Sequence, residues 1–354
     1  MGTDSVRAKK LSPRPEQQPR HEQDEGPVAV HRQPLETQRA FAKPSLLSNL
    51  ADRIFKTSTF VCAASVLLIL GLVIFELVEN SQPTLGKFGL SFFTGTAWDP
   101  VSGDFGALPF VYGTLVSSFL ALILAVPLAV GVAVFITEMC PRVLRGPLSF
   151  MVELLAAIPS VIYGLWAIFV LSPLLRSYVQ PWLAEHFAWT GLFDGMQLGF
   201  GMLAAGIILA IMIIPIISSI TREVLIAVPR NQREAALALG ATRFEMIRIA
   251  VLRNARAGIL GAIILGLGRA LGETMAVTMV IGNRAEIAKS LFAPGYTMAS
   301  VIANEFSEAT DELFLSALVE IGLALLLLTL VVNALARLLV WSITRGVPVS
   351  SHAQ

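Results

Sequence analysis

The chain has 354 residues, of which 55% are hydrophobic and only 14% are charged, and its formal net charge is +1. A soluble domain has about 25% charged residues, so this composition excludes an ordinary soluble domain and indicates an integral membrane protein. A net charge so close to zero gives no reason to expect a nucleic-acid partner.

Residues 1–50 differ in composition from the rest of the chain. The stretch RPEQQPRHEQDEGPVAVHRQP is rich in proline, glutamine and charge and contains no Phe, Trp or Tyr. Such a segment buries too little apolar surface to fold, which predicts a disordered cytoplasmic tail. The first apolar run begins near residue 57, too far from the N-terminus for a cleavable signal peptide.

Six apolar runs follow, each long enough to cross about 30 Å of hydrocarbon. They predict transmembrane helices over residues 58–79, 109–137, 147–173, 199–220, 255–282 and 314–341. The fold class is therefore an all-α polytopic membrane protein with six transmembrane helices. Its membrane domain is predicted to cover residues 51–345, with a cytoplasmic C-terminal tail over 346–354.

Positive charge is distributed unevenly among the loops. Arg142 and Arg145 follow the second run, and seven arginines lie between Arg222 and Arg256, after the fourth. The alternate loops contain few lysines and arginines. Because cytoplasmic loops carry an excess of these residues, both termini are predicted to be cytoplasmic.

The loop over about residues 222–256 is polar enough to leave the membrane and is rich in helix-forming residues. REAALAL predicts a helix that ends at Gly240, and Thr242 is a suitable N-cap for a second helix. Two interpretations are open. The loop is either a surface segment whose basic residues set the topology, or a docking site for a cytoplasmic partner.

The fifth run contains GLGRALGETMAV, residues 266–277, in which Arg269 and Glu273 interrupt an apolar sequence. Each charge at mid-membrane costs on the order of 2.5–3.5 kcal/mol on insertion scales. Residues four apart share one face of a helix, so the two are expected to pair. The pair is either an internal salt bridge only, or part of a water-filled substrate path.

The chemistry of these two side chains favours a phosphate path if a path exists. The planar guanidinium of Arg269 suits the oxygens of an oxyanion. Glu273 can accept a hydrogen bond from a protonated phosphate, whereas sulfate at neutral pH has no proton to donate.

Further residues are expected to shape the same region. Small residues allow other backbones to approach, and these are Gly258, Gly261, Gly266, Gly268 and Gly272, with Gly268 and Gly272 in a small-xxx-small spacing. Glu320 in the sixth run either faces the same cavity or bonds to a backbone carbonyl of a neighbouring helix, and both alternatives are open.

Several catalytic signatures are missing from the sequence. The chain has no G-x-x-x-x-G-K-[ST], G-x-S-x-G or H-E-x-x-H motif, which predicts that it does not hydrolyse nucleotide by the P-loop route. Cys62 and Cys140 form no disulfide or metal pattern, and the four histidines are not clustered. We therefore expect no metal site and no enzymatic activity in this chain.

The 222–256 loop resembles the EAA motif of ABC importer permeases, through Glu234, Ala235 and Ala236 followed by Gly240. In that family the loop places a coupling helix in a groove of the ATPase subunit. The end of the loop departs from the family pattern, which has an isoleucine and then Leu-Pro. This chain has Ala250 and then Leu252-Arg253.

The stretch GLGRALGETMAVTMVIGN resembles the PstC family of phosphate transport permeases, as do FGALPFVYGTLVSS, ELLAAIPSVIYGLW and SVIANEF. The related PstA permeases typically have Ala-Pro after GET, where this chain has Met275-Ala276-Val277. The resemblance covers roughly residues 50–345. It implies a type I ABC importer permease fold with a cytoplasmic coupling helix.

The resemblance also implies a function. The chain would be one of two membrane subunits of an ATP-driven, high-affinity inorganic phosphate importer in a prokaryotic plasma membrane. Its partners would be a PstA-like permease, a PstB-like ATPase dimer that binds the ATP, and an external phosphate-binding protein, so the chain itself needs no cofactor. Arg269 and Glu273 would lie on the phosphate path, and Glu234, Ala235, Ala236 and Gly240 would couple to the ATPase.

Other classes remain open from the residues alone. A permease for sulfate, molybdate or phosphonate is one alternative. A channel or an ion-coupled carrier that acts without ATP is another, although self-sufficient carriers often contain internal repeats and none is clear here. An intramembrane enzyme is disfavoured because no nucleophile–base or metal-ligand spacing is visible.

Overall fold

A computed structural model of the chain describes residues 46–344. The predicted N-terminal and C-terminal tails lie outside the described residues, apart from residues 46–50, which begin the first helix. The chain divides into two compact units, residues 1–65 and 66–354. The described part of the first unit is helical, and the second unit contains the remaining elements.

The described elements are almost all helices. The first seven are α1 (Leu46–Asn80), α2 (Gln82–Phe88), α3 (Leu108–Val134), α4 (Arg142–Ala156), α5 (Ser160–Trp166), α6 (Ser172–Leu174) and α7 (Gln180–Phe187). The next seven are α8 (Met202–Ala227), α9 (Arg230–Ala238), α10 (Arg243–Met246), α11 (Arg253–Leu271), α12 (Met275–Thr278), α13 (Met298–Glu305) and α14 (Glu312–Thr344).

Shorter elements join these helices. Wider π-helical turns cover Phe135–Met139, Ala167–Leu171, Leu175–Val179 and Ile247–Leu252. Tighter 3-10 turns cover Gly89–Phe93 and Ala188–Thr190. Two short strands, β1 (Trp98–Asp99) and β2 (Asp104–Phe105), form an antiparallel hairpin that pairs Trp98 with Phe105.

Six helical segments among the described residues are long and apolar enough to cross a membrane, which confirms the predicted number. They cover Asp52–Asn80, Leu108–Met139, Ser160–Thr190, Met202–Ala227, Arg243–Leu271 and Glu312–Ser342. Four of them overlap the predicted runs closely. The third and the fifth do not.

The third span begins at Ser160 rather than at residue 147, so the predicted boundary was wrong. Residues 142–156 form the separate helix α4, which ends before Pro159. Proline lacks an N–H and disfavours helical backbone at the preceding residue, so it separates the two helices. Phe150 and Leu154 of α4 are exposed, and this apolar face made the two helices look like one run.

The fifth span covers Arg243–Leu271 rather than residues 255–282. The helix ends at Gly272, and the residues that follow form α12 and a buried segment without regular structure. This segment is held at the start of α8, where the Gly201 amide donates to the Val280 carbonyl at 2.8 Å. Hydropathy cannot reveal the break because the residues on both sides of it are apolar.

Helix α8 is the central helix of the second unit and is buried along most of its length. Side chains of α3, α5, α11 and α12 pack around it in one apolar core. On α3, the residues at positions 121, 125 and 129 are all alanines with no exposed surface. Such small side chains at successive turns let neighbouring helices approach closely.

Two smaller clusters lie at the ends of the bundle. At the end that contains the β-hairpin, aromatic rings of Trp98, Phe105, Phe110 and Phe314 pack edge-to-face or stacked. Trp98 Nε1 also donates to the Glu305 carboxylate at 2.8 Å. At the opposite end, the last residues of α3 and α8 pack against α10 and the start of α11, beside the 222–256 loop.

Candidate translocation site and coupling loop

The contacts between α8 and α11 fix the depth of the charged pair. A Cβ on Gly258 would lie 2.4 Å from Val224 Cγ1, and one on Gly266 would lie 2.7 Å from Ile217 Cδ1. The two helices are therefore antiparallel. Arg269 lies one turn beyond Gly266, level with the middle of α8 and deep in the membrane.

The glycines of α11 do not all have the expected role. Gly258 and Gly266 do admit side chains of α8. A Cβ on Gly261 or Gly268 would meet no described atom within 4 Å, and one on Gly272 would meet only the Gly268 carbonyl of the same chain segment. The predicted packing through Gly268 and Gly272 was therefore wrong for contacts within this chain.

Arg269 and Glu273 are close, as their spacing predicted, but they do not share a helix face. Arg269 is in the last turn of α11, whereas Glu273 lies beyond the helix end, between α11 and α12. Arg269 Nη2 is 3.6 Å from Glu273 Oε2. The arginine side chain is 47% exposed and the glutamate side chain only 6% exposed. The cationic side chain is therefore partly exposed, whereas the carboxylate is buried.

The break in the helix favours both charges at this depth. A cation in the last turn of α11 lies near the negative end of the helix dipole. Glu273 Oε1 is 3.5 Å from the Ala276 amide, an N–H at the start of α12 that has no partner within the helix. Broken membrane helices whose ends face a cavity are typical of substrate sites in transporters.

The geometry leaves Arg269 available to a ligand. At 3.6 Å the contact with Glu273 is an ion pair but is too long for a hydrogen bond. Among the described residues, no hydrogen bond to the Arg269 guanidinium is formed. Its N–H donors can therefore bind two oxygens of an oxyanion while Glu273 stays beside it.

Glu320 does not pair with this site. It is 1% exposed on α14, and neither of its carboxylate oxygens has a hydrogen-bond partner among the described residues. Of the two open alternatives, the bond to a backbone carbonyl of a neighbouring helix was therefore wrong. Its place on a substrate path stays a prediction.

The coupling loop has the predicted two-helix form. Helix α9 ends at Ala238, and Gly240 adopts a φ of +86°, a left-handed conformation that favours glycine. Thr242 caps α10 as predicted: its hydroxyl accepts from the Glu245 amide, and the Glu245 carboxylate accepts from the Thr242 amide. This reciprocal arrangement is a capping box.

The predicted coupling residues lie on α9 with different exposure. Glu234 and Ala235 are exposed, and Ala236 is partly buried against the cluster at the base of the loop. Three large apolar side chains on α9, on α10 or between them are also exposed, namely Leu237, Leu239 and Phe244. An exposed apolar patch on a polar loop favours a protein partner.

One polar contact of the loop could not be predicted from the sequence. Arg233 on α9 donates to Glu138, which ends the second span 95 residues earlier, with Nη2 2.9 Å from Oε1. Both side chains are largely buried. No motif joins the two residues, because only the fold brings them together.

A family model for the binding-protein-dependent transport system inner membrane component matches residues 125–345. The chain is 48% identical to a phosphate transport system permease protein PstC of Mesorhizobium japonicum, over 81% of this chain and 89% of that protein. It is 45% identical to the PstC of Pasteurella multocida, over 84% of this chain and 94% of that protein. The chain belongs to the PstC family of phosphate transport system permeases.

The fold agrees with this PstC assignment. The crystal structure of a bacterial ABC transporter involved in the import of the acidic polysaccharide alginate aligns with a TM-score of 0.51 and 16% identity. The alignment covers 83% of this chain and all of that one. At this identity the likeness shows the ABC permease fold alone.

Two of the stretches that resemble the PstC family contact each other, and a third packs against the residues that follow them. Gly164 of ELLAAIPSVIYGLW lies against Ala276 of GLGRALGETMAV, where a Cβ would be 3.2 Å from the Ala276 Cα. A Cβ on Gly113 of FGALPFVYGTLVSS would be 2.0 Å from the Tyr296 carbonyl oxygen. These glycines let α3 and α5 contact the segment that follows the charged pair, so the segment is held from two sides.

Proposed function

We propose that this chain is a membrane-spanning permease subunit of an ATP-driven inorganic phosphate importer, and that Arg269 and Glu273 contact phosphate on its path. The observation that carries the proposal is the exposure of an unshared guanidinium at a helix break in mid-membrane, next to an enclosed carboxylate. The phosphate transport named in the PstC relatives supports the choice of substrate.

The two side chains have distinct roles. Arg269 binds phosphate oxygens through paired N–H donors. Glu273 accepts a hydrogen bond from a protonated phosphate oxygen and repels anions that carry no proton. Because Glu273 is buried, the position of its carboxylate is fixed. The discrimination between protonated phosphate and anions without a proton therefore rests on a group that does not move.

The energy comes from outside this chain. Helix α9 and the exposed apolar residues Leu239 and Phe244 dock on a PstB-like ATPase dimer that binds the ATP, so this chain is not catalytic and holds no cofactor. A PstA-like permease completes the path, and an external binding protein delivers phosphate. Both termini and the coupling loop are cytoplasmic, in agreement with the seven arginines between Arg222 and Arg256.

Uptake of labelled phosphate tests the proposal, in prokaryotic cells that lack their own high-affinity system. The chain is supplied with its candidate partners, and wild type is compared with Arg269→Ala at matched membrane levels. We expect energy-dependent uptake that resists excess sulfate and is lost in the variant. Arg142→Ala, which removes an exposed arginine at the start of α4 and outside the coupling loop, is the matched control for lost positive charge.

Each outcome has a defined meaning. Equal uptake by wild type and Arg269→Ala would reduce the pair to a structural role. Uptake of sulfate or molybdate but not phosphate by the assembled wild type would show that the substrate is that other oxyanion. Uptake without the ATPase would indicate a channel or carrier.

A further inference from the structure

We propose that the Arg233–Glu138 ion pair is the mechanical link through which the coupling loop moves the second and fourth membrane spans. Arg233 is in this sense a positioning residue for coupling rather than a ligand of ATP or phosphate. The inference rests on the proposed function, because it assumes that α9 docks on an ATPase.

One guanidinium joins three elements. Arg233 projects from α9, and its Nε and Nη2 donate to Glu138 Oε1 at 3.2 and 2.9 Å. Nη2 also donates to the Leu225 carbonyl at 2.7 Å, and Nη1 donates to the Val228 carbonyl. These carbonyls belong to the end of α8, and Glu138 belongs to the turn that ends the second span.

The environment makes this link strong. The Arg233 side chain is 18% exposed and the Glu138 side chain 10% exposed, so solvent screens the pair weakly. Arginine also donates to two backbone carbonyls at the end of α8, and the Leu225 carbonyl accepts from the Val228 amide as well. Breaking a buried pair by removal of one partner is costly, because the other charge is left without its counterion.

Other polar contacts in this region join fewer elements. Gln232 accepts from Asn254 Nδ2 at 2.6 Å, which joins α9 to the start of α11 only. Arg222 pairs with Glu153 at 2.9 Å, which joins α8 to α4 and does not involve α9. Among the polar contacts of the described residues, the Arg233 link is the one that reaches from α9 to the ends of both the second and the fourth spans.

This arrangement converts motion of α9 into motion of the bundle. Displacement of α9 by the ATPase pulls on Glu138 and on the last turn of α8 at once. Alanines of both spans and Gly206 of the fourth lie at the contact between the second and fourth spans. These small residues let the two helices pack closely, so the helices move together. Without the link, α9 moves with the ATPase while the ends of the two spans lag behind.

The test uses the complete transporter in liposomes, with the external binding protein supplied, and measures phosphate accumulated per ATP hydrolysed. We expect Arg233→Gln and Glu138→Ala each to retain the ATPase subunit and to hydrolyse ATP, with a transport ratio roughly tenfold lower. The double variant should be no worse than either single variant, because the two residues act as a unit. Arg142→Gln, which changes an exposed arginine at the start of α4 outside the docking helix, should leave the ratio unchanged.

The outcomes separate this inference from the proposed function. Failure of the wild-type chain to retain any ATPase subunit would overturn the proposed docking of the loop. A normal transport ratio in both single variants would overturn the link alone. Loss of assembly in both, together with a normal ratio in the milder Arg233→Lys, would show a purely structural role and would also overturn it.

Discussion

Glu273 holds its carboxylate 3.6 Å from the guanidinium of Arg269 across the end of a broken helix, and of the two side chains only the arginine is exposed on the surface of the chain. A tight salt bridge would use the donors of the arginine, whereas this contact leaves them unused. The enclosed carboxylate offsets the cost of a cation at this depth without occupying its N–H donors. This geometry supports the proposed binding of phosphate beside the pair.

Glu273→Gln tests this relationship. The amide keeps the size of the side chain but removes the charge that repels unprotonated anions. We expect phosphate uptake to fall about tenfold, or about 1.4 kcal/mol, and sulfate to compete more strongly than in wild type. Competition of labelled phosphate by sulfate, at matched membrane levels, measures both effects.

The control for this variant is Glu153→Gln, which removes an exposed carboxylate of α4 that pairs with Arg222 on α8. It should leave the competition by sulfate unchanged. Unaltered rate and selectivity in Glu273→Gln would contradict the assigned role of the carboxylate.

The sequence allowed part of this architecture to be predicted, namely the number of spans and the local signals of the coupling loop. Thr242 was expected as a cap and is one, because capping depends only on residues within one turn. The pairing of Arg269 with Glu273 followed from their spacing. These features are all local in sequence.

The errors and omissions have a common physical cause. The ends of the third and fifth spans depend on Pro159 and on tertiary hydrogen bonds such as Gly201 to Val280, which hydropathy does not register. Arg233 and Glu138 are 95 residues apart and meet only in the fold. The place of Glu273 outside the helix follows from the same tertiary contacts.

Gly164→Ala tests whether the segment after the break must be held in place. A Cβ at this position would lie 2.4 Å from Met279 Sδ and 3.2 Å from the Ala276 Cα, so the Met279 side chain must move and α12 must give by a few tenths of an ångström. Overpacking of this kind costs about 1–3 kcal/mol. We expect lower uptake, measured as labelled phosphate accumulation, and a lower thermal unfolding midpoint in detergent.

Two further variants serve as controls for Gly164→Ala. Gly131→Ala on α3 adds the same methyl group where no described atom lies within 4 Å, and it should have little effect. Met279→Ala combined with Gly164→Ala removes the shortest contact and should restore part of the uptake. Full activity of Gly164→Ala alone would show that α12 tolerates displacement.

The contact between Trp98 and Glu305 predicts a pH dependence of stability. Burial raises the pKa of Glu305 above its ordinary value of 4.5, and the hydrogen bond from Trp98 Nε1 offsets this in part. The folded protein therefore keeps the Glu305 proton at pH values where the unfolded chain has lost it. The contribution of Glu305 to the free energy of unfolding is therefore greatest below pH 4.5, and it falls as the pH rises to the raised pKa.

Glu305→Gln should remove this contribution. The amide oxygen still accepts from Trp98 but carries no charge, so the variant should be more stable than wild type at neutral pH and equally stable at acidic pH. Thermal unfolding midpoints across this pH range measure the difference. Glu308→Gln, an exposed neighbour, should change the profile much less, and an identical profile for Glu305→Gln and wild type would contradict the prediction.

Glu320 provides the last prediction, because both of its carboxylate oxygens are buried without a partner among the described residues. A buried polar group without a hydrogen bond costs about 1–3 kcal/mol. Glu320→Met removes that cost at similar volume, so its thermal unfolding midpoint in detergent should rise above that of wild type. Glu312→Met, at the exposed start of the same helix, should not show this gain.

The same variants decide what Glu320 does. If the side chain has no part in transport, Glu320→Met is more stable and takes up phosphate at the wild-type rate. A more stable protein that no longer transports would instead place Glu320 on the substrate path, since natural proteins keep a costly buried charge where function requires it. A less stable Glu320→Met would contradict the premise that the carboxylate is without a partner.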